Sequence, residues 1–220
     1  MKERLLTIFA HPDDETFGCG GTLALHSDLG YKVGTLCLTC SNSIRKSELD
    51  RATKTLGIQE PIILEENSIK QSNDLTQKVS DVIVNQCPKI VITHIPFDYH
   101  QEHRITYEIV KEALEWAGHE TIYDNPWVVE NLLLMEVNTL IPKPHIIMDI
   151  SSVWLKKKSA INDYTTQLEK FQWAYYQKFM EKKAELRGIQ GSCNYAEAFL
   201  IEPLSENSPF YPKKSNKTLF

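Results

Sequence analysis

Four short apolar runs alternate with helical stretches in the first half of this chain, and that alternation limits the folds it can adopt. The runs have a β-compatible composition, and helical stretches separate them. They cover residues 5–10, 32–38, 61–64 and 90–94. The resulting order, βαβαβαβ, is typical of a parallel sheet covered by helices on both faces. The sequence therefore predicts an α/β fold, a Rossmann-like domain with a mostly parallel sheet.

The second half of the chain continues this pattern less regularly. Residues 132–137 and 145–150 are further candidate strands, and residues 151–187 follow a helical pattern. Aromatic density in that helical part favours core packing, with an oligomer contact or a wall of a substrate site as alternatives. The aromatic residues are Phe171, Trp173, Tyr175, Tyr176 and Phe179. We predict a single domain over residues 1–220, with a polar tail from about residue 205 to 220.

Composition argues against several classes of partner. The 220 residues carry 24 basic and 29 acidic side chains, a net charge of −5, which suggests neither nucleic acid nor a membrane as a partner. No window of about 18 apolar residues exists, so no membrane span is predicted. The first apolar run is too short for a signal peptide, and five scattered cysteines fit a reduced compartment. We therefore expect a cytoplasmic protein.

The first apolar run ends in His11-Pro12-Asp13-Asp14-Glu15, four ionisable groups within five residues. Such groups repel one another, and they are tolerated if they are solvated or if a cation neutralises them. A solvated acidic turn is one interpretation; the flanking strand and the imidazole favour a metal site. Histidine and carboxylate suit zinc or ferrous iron. A glycine cluster follows, and we predict a helix over residues 22–29.

The fourth run is followed by a second histidine motif. His100 and His103 stand three apart at the start of a predicted helix, so both side chains can point the same way. The N-terminus of a helix favours the neutral, metal-binding form of imidazole. Loops after parallel strands open at one edge of the sheet, so this motif and the first one can meet. The remaining histidines have no partner pattern, and we interpret them as structural or surface residues: His26, His94, His119 and His145.

These motifs resemble those of a known enzyme family. The segment from His11 to Ala24 looks like the opening motif of the PIG-L/LmbE-like zinc-dependent N-deacetylases, and residues 100–104 (His-Gln-Glu-His-Arg) resemble their second motif. Residues 45–57, 148–151 and 187–199 agree with the same family. The resemblance spans almost the whole chain and implies a single LmbE-like deacetylase domain.

The resemblance implies a role for each matched residue. His11, Asp14 and His103 would bind Zn²⁺, with Fe²⁺ as an alternative metal. Asp13 would be the general base, and a protonated His100 would stabilise the oxyanion. Because the helix N-terminus opposes protonation of His100, a neighbouring carboxylate would have to offset it. The substrate would be an N-acetylated sugar conjugate of the N-acetylglucosamine type, and the products acetate and a free amine.

Of five further matched residues, three keep two interpretations each. Glu15 would lie beside the metal ligands or hold the loop. Arg45 would contact substrate or pair with Glu48. Asp149 would orient a ligand imidazole or form a strand-end turn. The last two, Arg187 and Glu197, fit a structural role that closes the C-terminal segment on the core.

Other functions remain as alternatives. Gly18, Gly20 and Gly21 loosely suggest a dinucleotide site, but the acidic loop separates them from the strand. A ferrous oxygenase also uses two histidines and a carboxylate, usually on an antiparallel barrel rather than this alternating pattern. An amidase acting on a thiol-sugar conjugate and a non-catalytic sugar-binding protein are the closer rivals. The sequence also leaves the identity of the sugar and the formation of a homo-oligomer open.

Overall fold

The computed structural model describes residues 3–204, so the predicted tail over about 205–220 lies outside the described residues. Seven strands in this part form a mixed sheet in the order β3-β2-β1-β4-β5-β7-β6. They are β1 Arg4–Phe9, β2 Lys32–Thr39, β3 Ile62–Glu66, β4 Ile90–His94, β5 Asn131–Met135, β6 Ile146–Asp149 and β7 Ala196–Glu202. The first five pair in parallel, whereas β7 runs antiparallel between β5 and β6. The predicted α/β fold is confirmed, although β7 was not predicted.

Seven α-helices surround this sheet in the described residues. They are α1 Asp14–Asp28, α2 Ser43–Leu56, α3 Asn73–Gln86, α4 Gln101–Ala117, α5 Trp154–Asn162, α6 Thr165–Leu168 and α7 Tyr175–Gly191. Side chains alternate along β1, so that Leu5 and Phe9 join a core under α1, α2, α5 and α7. Leu6 and Ile8 face the opposite core, under α3 and α4. Helices therefore cover both faces, as the strand pattern predicts.

Helix α1 begins eight residues earlier than predicted, because the glycine cluster lies inside the helix rather than in a turn before it. The helix is kinked at Cys19, where φ is −141°. A Cβ on Gly18 would lie 2.5 Å from the Met135 sulfur, and a Cβ on Gly21 would lie 2.6 Å from Ile150 Cδ1. The glycines thus allow α1 to pack closely against the sheet. Asp14 and Glu15 occupy the first turn, where the helix dipole favours negative charge.

The predicted helix over 151–187 is broken into α5, α6 and α7, with short 3₁₀ turns at Ser151–Val153 and Gln172–Ala174. Core packing was the wrong prediction for three of its aromatic residues. Phe171 is 50% exposed, Trp173 75% and Tyr175 41%. Tyr176 and Phe179 are half-buried and pack against the core. Within residues 3–204, no helix combines the length and apolar character needed to cross a membrane.

Candidate metal centre

The histidine and carboxylate motifs meet at the carboxyl ends of β1 and β4. His11 and Asp13 lie between β1 and α1, and Asp14 begins α1, while His100 stands at the N-cap position of α4 and His103 lies in its first turn. Asp14 Oδ2 is 3.5 Å from His11 Nδ1, and Asp14 Oδ1 is 3.2 Å from His103 Nε2. Helices α1 and α4 therefore direct both histidines toward one buried carboxylate.

Two carboxylates lie beside the far ring nitrogens of these imidazoles. Glu102 Oε2 is 2.7 Å from His11 Nε2, at hydrogen-bond distance, and Asp98 Oδ1 is 3.3 Å from His103 Nδ1, an ion-pair contact without hydrogen-bond geometry. A carboxylate beside one ring nitrogen favours the proton there and leaves the other nitrogen free to bind a cation. The free nitrogens are then the two that face Asp14. Asp98 and Glu102 were not singled out from the sequence, although both lie within two residues of a motif histidine.

His94 also belongs to this cluster, so its interpretation as an ordinary histidine was incomplete. Its ring is fully buried and stacks on His103 with centroids 4.0 Å apart, and its Nε2 is 3.4 Å from Asp14 Oδ2. Its position at the carboxyl end of β4 was the signal that could have found it. The Ala10 N–H donates to the same Nε2 at 3.0 Å. That bond occupies the lone pair that a metal would need.

Donor atoms for a cation are available in two overlapping sets. One ligand atom each from His11, His100 and His103 lies within 4.8 Å of the others, and the same holds for Asp14, His94 and His103. Buried Nδ1 atoms of His94, His100 and His103 have no hydrogen-bond partner within the described residues. The chemistry of this donor set, imidazole with carboxylate, fits zinc or ferrous iron.

Electrostatics at the centre favour positive charge. Burial lowers the pKa of His103, but the carboxylates of Asp14 and Asp98 outweigh burial and raise this pKa to about 10. Burial raises the pKa of Asp14, but the imidazoles of His103 and His94 outweigh it and hold this pKa well below its usual range. The protein therefore stabilises a cation beside Asp14, which a proton or a metal can supply.

Asp13 is held in an unusual backbone conformation beside the cluster. Its backbone φ is +115°, in a region that residues other than glycine rarely adopt. Arg45 donates to the Pro12 carbonyl and, at 3.0 Å, to Asp13 Oδ2. Burial and the charge of Asp14 raise the pKa of Asp13 well above its usual value. Arg45 also pairs with Glu48 at 2.9 Å, so it holds the loop whether or not it contacts substrate.

The pKa of His100 is lowered, first by burial and then by the charges on His103 and His11. The nearby carboxylates, Asp14 and Glu102, do not outweigh these effects. The structure therefore favours neutral His100, whereas the sequence prediction required its protonated form. A neutral imidazole still donates one N–H.

The remaining matched residues have mainly structural contacts. Glu15 is buried and accepts hydrogen bonds from the Thr16 and Tyr164 hydroxyls, so it holds the loop. Asp149 accepts from the Ser151 backbone and hydroxyl, as a strand-end turn residue does. Arg187 pairs with buried Glu136 on the segment after β5.

Glu197, on β7, accepts from the backbone N–H groups of Gly21 and Thr22 in α1 at 2.8 and 2.7 Å. It also pairs with buried Lys157 at 2.6 Å. These contacts tie the last strand to the helix that carries Asp14.

The cluster opens into a cavity of about 310 Å³. Its walls combine the motif residues with apolar, amide and aromatic side chains from other elements. The lining residues outside the motifs include Phe17, Tyr99, Val137, Asn138, Gln167, Lys170, Phe171 and Tyr176. The centre is therefore open to a small molecule on one side.

Comparison with known proteins identifies the family. The family described as "PIG-L: GlcNAc-PI de-N-acetylase" matches residues 6–114. The uncharacterized deacetylase YaiS of Escherichia coli K12 is 32% identical over 139 residues, covering 57% of this chain and 75% of that protein. The chain belongs to the PIG-L family. The resemblance predicted from the motifs is thereby confirmed.

Proteins with two different named activities resemble this PIG-L chain over most of its length. The diacetylchitobiose deacetylase of Thermococcus kodakarensis is 23% identical, covering 91% of this chain and 84% of that protein. The crystal structure of GalB, the 4-carboxy-2-hydroxymuconate hydratase of Pseudomonas putida KT2440, matches with a TM-score of 0.80 at 21% identity. That match covers 98% of this chain and 100% of the other. The likeness to GalB shows the fold alone.

Proposed function

We propose that this chain is a metal-dependent amide hydrolase that removes the acetyl group from an N-acetylated sugar conjugate. The observation that carries the proposal is the cluster of His11, Asp14 and His103 beside Asp13, at the end of a cavity suited to one sugar unit. Membership of the PIG-L family and the deacetylase relatives support this reaction. The product amine would be of the glucosamine type, released together with acetate.

His11, Asp14 and His103 are the residues that would hold the metal, and zinc or ferrous iron fits them. Each imidazole has its far nitrogen beside a carboxylate and its near nitrogen beside Asp14, as a metal-binding histidine requires. We exclude His94 from the set because the Ala10 N–H already uses its Nε2. When bound, the metal would polarise the amide carbonyl and lower the pKa of a water toward about 7.

The proton transfers fall to this chain's own side chains. Asp13 takes a proton from the attacking water on a carboxylate oxygen and then delivers it to the amide nitrogen as the C–N bond breaks. Arg45 positions that carboxylate through its 3.0 Å contact with Asp13 Oδ2. His100, which lines the same cavity, donates an N–H to the oxyanion of the tetrahedral intermediate.

A hydratase acting on a polycarboxylate is the main rival, because GalB shares this fold. Such a substrate needs cationic partners. Within the described part of the chain, the cavity walls include Arg45 and Lys170. Arg45 is already paired with Asp13 and Glu48. Lys170 donates to the neutral amide of Gln167 at 2.6 Å and keeps its charge. One such cation in the wall suits an uncharged sugar better than a substrate with several carboxylates. A thiol-sugar amide remains an alternative substrate, and a non-catalytic sugar-binding protein an alternative function.

A single domain over residues 1–220, a cytoplasmic location and a homo-oligomeric assembly remain predictions. The first is tested by limited proteolysis, which would leave one resistant fragment. Fractionation of cells and light scattering of the pure protein test the other two.

The deciding experiment measures acetate released from N-acetylglucosamine and from N,N′-diacetylchitobiose. The protein is assayed as purified, after chelation, and after addition of Zn²⁺ or Fe²⁺. We expect activity to disappear on chelation and to return with one of these metals. A protein that holds about one metal per chain and yet releases no acetate from either sugar would favour the binding-protein alternative.

A further inference from the structure

The size of the cavity leaves most of a larger conjugate outside it. Its volume of about 310 Å³ lies at the low end of the ~300–1,000 Å³ range of small-molecule pockets. One N-acetylated sugar unit therefore fills it. Whatever is attached to that unit must lie across the mouth of the cavity, on the exposed side chains there.

Aromatic rings dominate that mouth. We name Tyr99, Phe171, Tyr175 and Tyr176 the aromatic shelf. Tyr99, Phe171 and Tyr176 line the cavity itself, and Tyr99 is 69% exposed. The Phe171 ring lies 5.4 Å from the rings of both Tyr175 and Tyr176, so the shelf continues outward from the cavity wall. Exposed apolar surface of this kind marks a contact site.

The chemistry around the shelf suits an uncharged ring. Within the described residues, the shelf's neighbours in the cavity wall include the amides of Asn138 and Gln167 and the amine of Lys170, which bonds to Gln167. Pyranose rings present C–H groups on their faces and hydroxyls at their edges, which match aromatic faces and amide groups respectively. We infer that the aromatic shelf binds a second, uncharged pyranose ring, linked to the N-acetylated unit in the cavity. This inference rests on the proposed function.

Continuity with the cavity favours substrate over a second copy of the chain as the occupant. The rings that would meet a partner also form the wall through which a sugar enters. A second copy seated on Phe171 and Tyr99 would cover the mouth and exclude substrate. The shelf therefore fits a ligand that occupies the cavity and the mouth together.

The test compares a disaccharide with a monosaccharide in matched variants. Phe171→Ala removes the central ring of the shelf, and Phe171→Trp keeps an aromatic face. Trp173→Ala is the control, because Trp173 is 75% exposed in the same segment but packs against Lys178 and lies outside the cavity wall. The probes are N,N′-diacetylchitobiose and N-acetylglucosamine, followed by acetate release and by calorimetric binding.

We expect Phe171→Ala to lower kcat/KM for the disaccharide by about five- to tenfold through KM, as loss of one stacked ring would. For the monosaccharide, which meets Phe171 only as part of the cavity wall, the loss should be smaller, so the disaccharide-to-monosaccharide ratio of kcat/KM should fall. Phe171→Trp and Trp173→Ala should keep the wild-type ratio of the two substrates. Calorimetry should show the same loss of disaccharide affinity.

Three results would overturn the inference: equal losses for both sugars, an unchanged ratio in Phe171→Ala, or a drop in native mass of that variant in light scattering. Failure of the proposed function is a separate result, in which the wild type releases acetate from neither sugar. The calorimetric binding measurement still tests the role of the aromatic shelf in that case. Wild type must then bind the disaccharide more tightly than the monosaccharide, and Phe171→Ala must abolish the difference.

Discussion

Two of the buried charge clusters in the described residues differ in whether their charges are satisfied within the protein. The imidazole cluster comprises His11, Asp14, His94, His100 and His103, and it opens into the cavity. The ion-pair cluster comprises Glu136, Lys157, Lys183, Arg187 and Glu197, under α5 and α7. Both lie largely out of water, so burial alone does not distinguish a site from a structural element.

Every charge of the ion-pair cluster has a partner of complementary polarity. Arg187 Nε donates to Glu136 Oε2 at 3.0 Å, and Lys157 donates to Glu197 at 2.6 Å. Lys183 donates to the carbonyls of Phe17, Glu136 and Val137 at 3.1, 2.7 and 3.0 Å. In the imidazole cluster, by contrast, buried ring nitrogens of His94, His100 and His103 have no hydrogen-bond partner in the described chain. Ring nitrogens without a hydrogen-bond partner beside a cavity therefore indicate a functional site, whereas buried charge alone does not.

The largest effect is expected for a substitution of His103 in the imidazole cluster. We expect His103→Ala to lower bound metal from about one per chain to a small fraction, and acetate release by about a thousandfold or more. Elemental analysis and acetate assays measure both. His119→Ala is the matched control, because that imidazole is 50% exposed and makes a long, 4.0 Å contact with exposed Glu115. Full metal content in His103→Ala would refute the proposed ligand set.

Asp13→Asn is a second test of the imidazole cluster, because it should lower kcat without changing the metal content. Asparagine tolerates the positive φ of this position, so the loop should keep its shape. We expect metal content to be unchanged and kcat to fall by about 10²–10⁴-fold, the contribution of a general base. Asp149→Asn, at the exposed strand-end turn, serves as the control. An unaffected kcat would remove Asp13 from the proposed mechanism.

Arg187→Met tests the ion-pair side. Removing one partner leaves Glu136 buried and unpaired, so the free energy of unfolding should fall by about 3–5 kcal/mol. Metal per folded chain should not change. Urea denaturation gives the first quantity and elemental analysis the second. Lys182→Met breaks an exposed pair with Glu185, and it should leave the free energy of unfolding nearly unchanged. Loss of metal from folded Arg187→Met would show that the clusters are coupled.

Lys183 gives the most specific effect, a change in how stability depends on pH. Burial and then the charge on Lys157 lower its pKa to about 7, although Glu136, Glu197 and Asp98 act in the opposite direction. An unfolded lysine titrates near 10.4, so between about pH 7 and 10 the unfolded chain binds more protons. This residue should therefore make stability rise with pH in that window, by at most about 1.4 kcal/mol per pH unit.

The measurement is urea denaturation at several pH values from 7 to 10. Lys183→Met should remove the contribution of Lys183 to the slope of unfolding free energy against pH, whereas Lys182→Met should keep the wild-type slope. Equal slopes in wild type and Lys183→Met would mean that Lys183 stays charged in the folded protein throughout the window.

Local signals explain which parts of the fold could be predicted. β1, β2 and β4 are continuous apolar runs buried on both faces, so composition alone identifies them. β7 escaped prediction because its insertion between β5 and β6 depends on pairing across more than 45 residues. The aromatic residues after α6 were misassigned because helical spacing does not tell a core-facing side from a side that borders a cavity.

The candidate site was predictable where its residues share a motif and unpredictable where they meet only in space. His11, Asp14 and His103 follow from two short motifs at one edge of the sheet. His94 has no motif; it reaches Asp14 because β4 pairs directly with β1. The contact of Glu102 with His11 likewise joins residues 91 positions apart. Such contacts depend on strand order, which apolar patterning does not specify.

The hydrogen bonds from Gly21 and Thr22 to Glu197 also impose an order of assembly. Ribosomes make the residues around Asp14 well before those of β7. The helix that carries Asp14 cannot bond to Glu197 until β7 has been made. A nascent chain therefore exposes the His11–Glu15 motif before it can complete the pocket around it, so the centre matures only after β7 has been added.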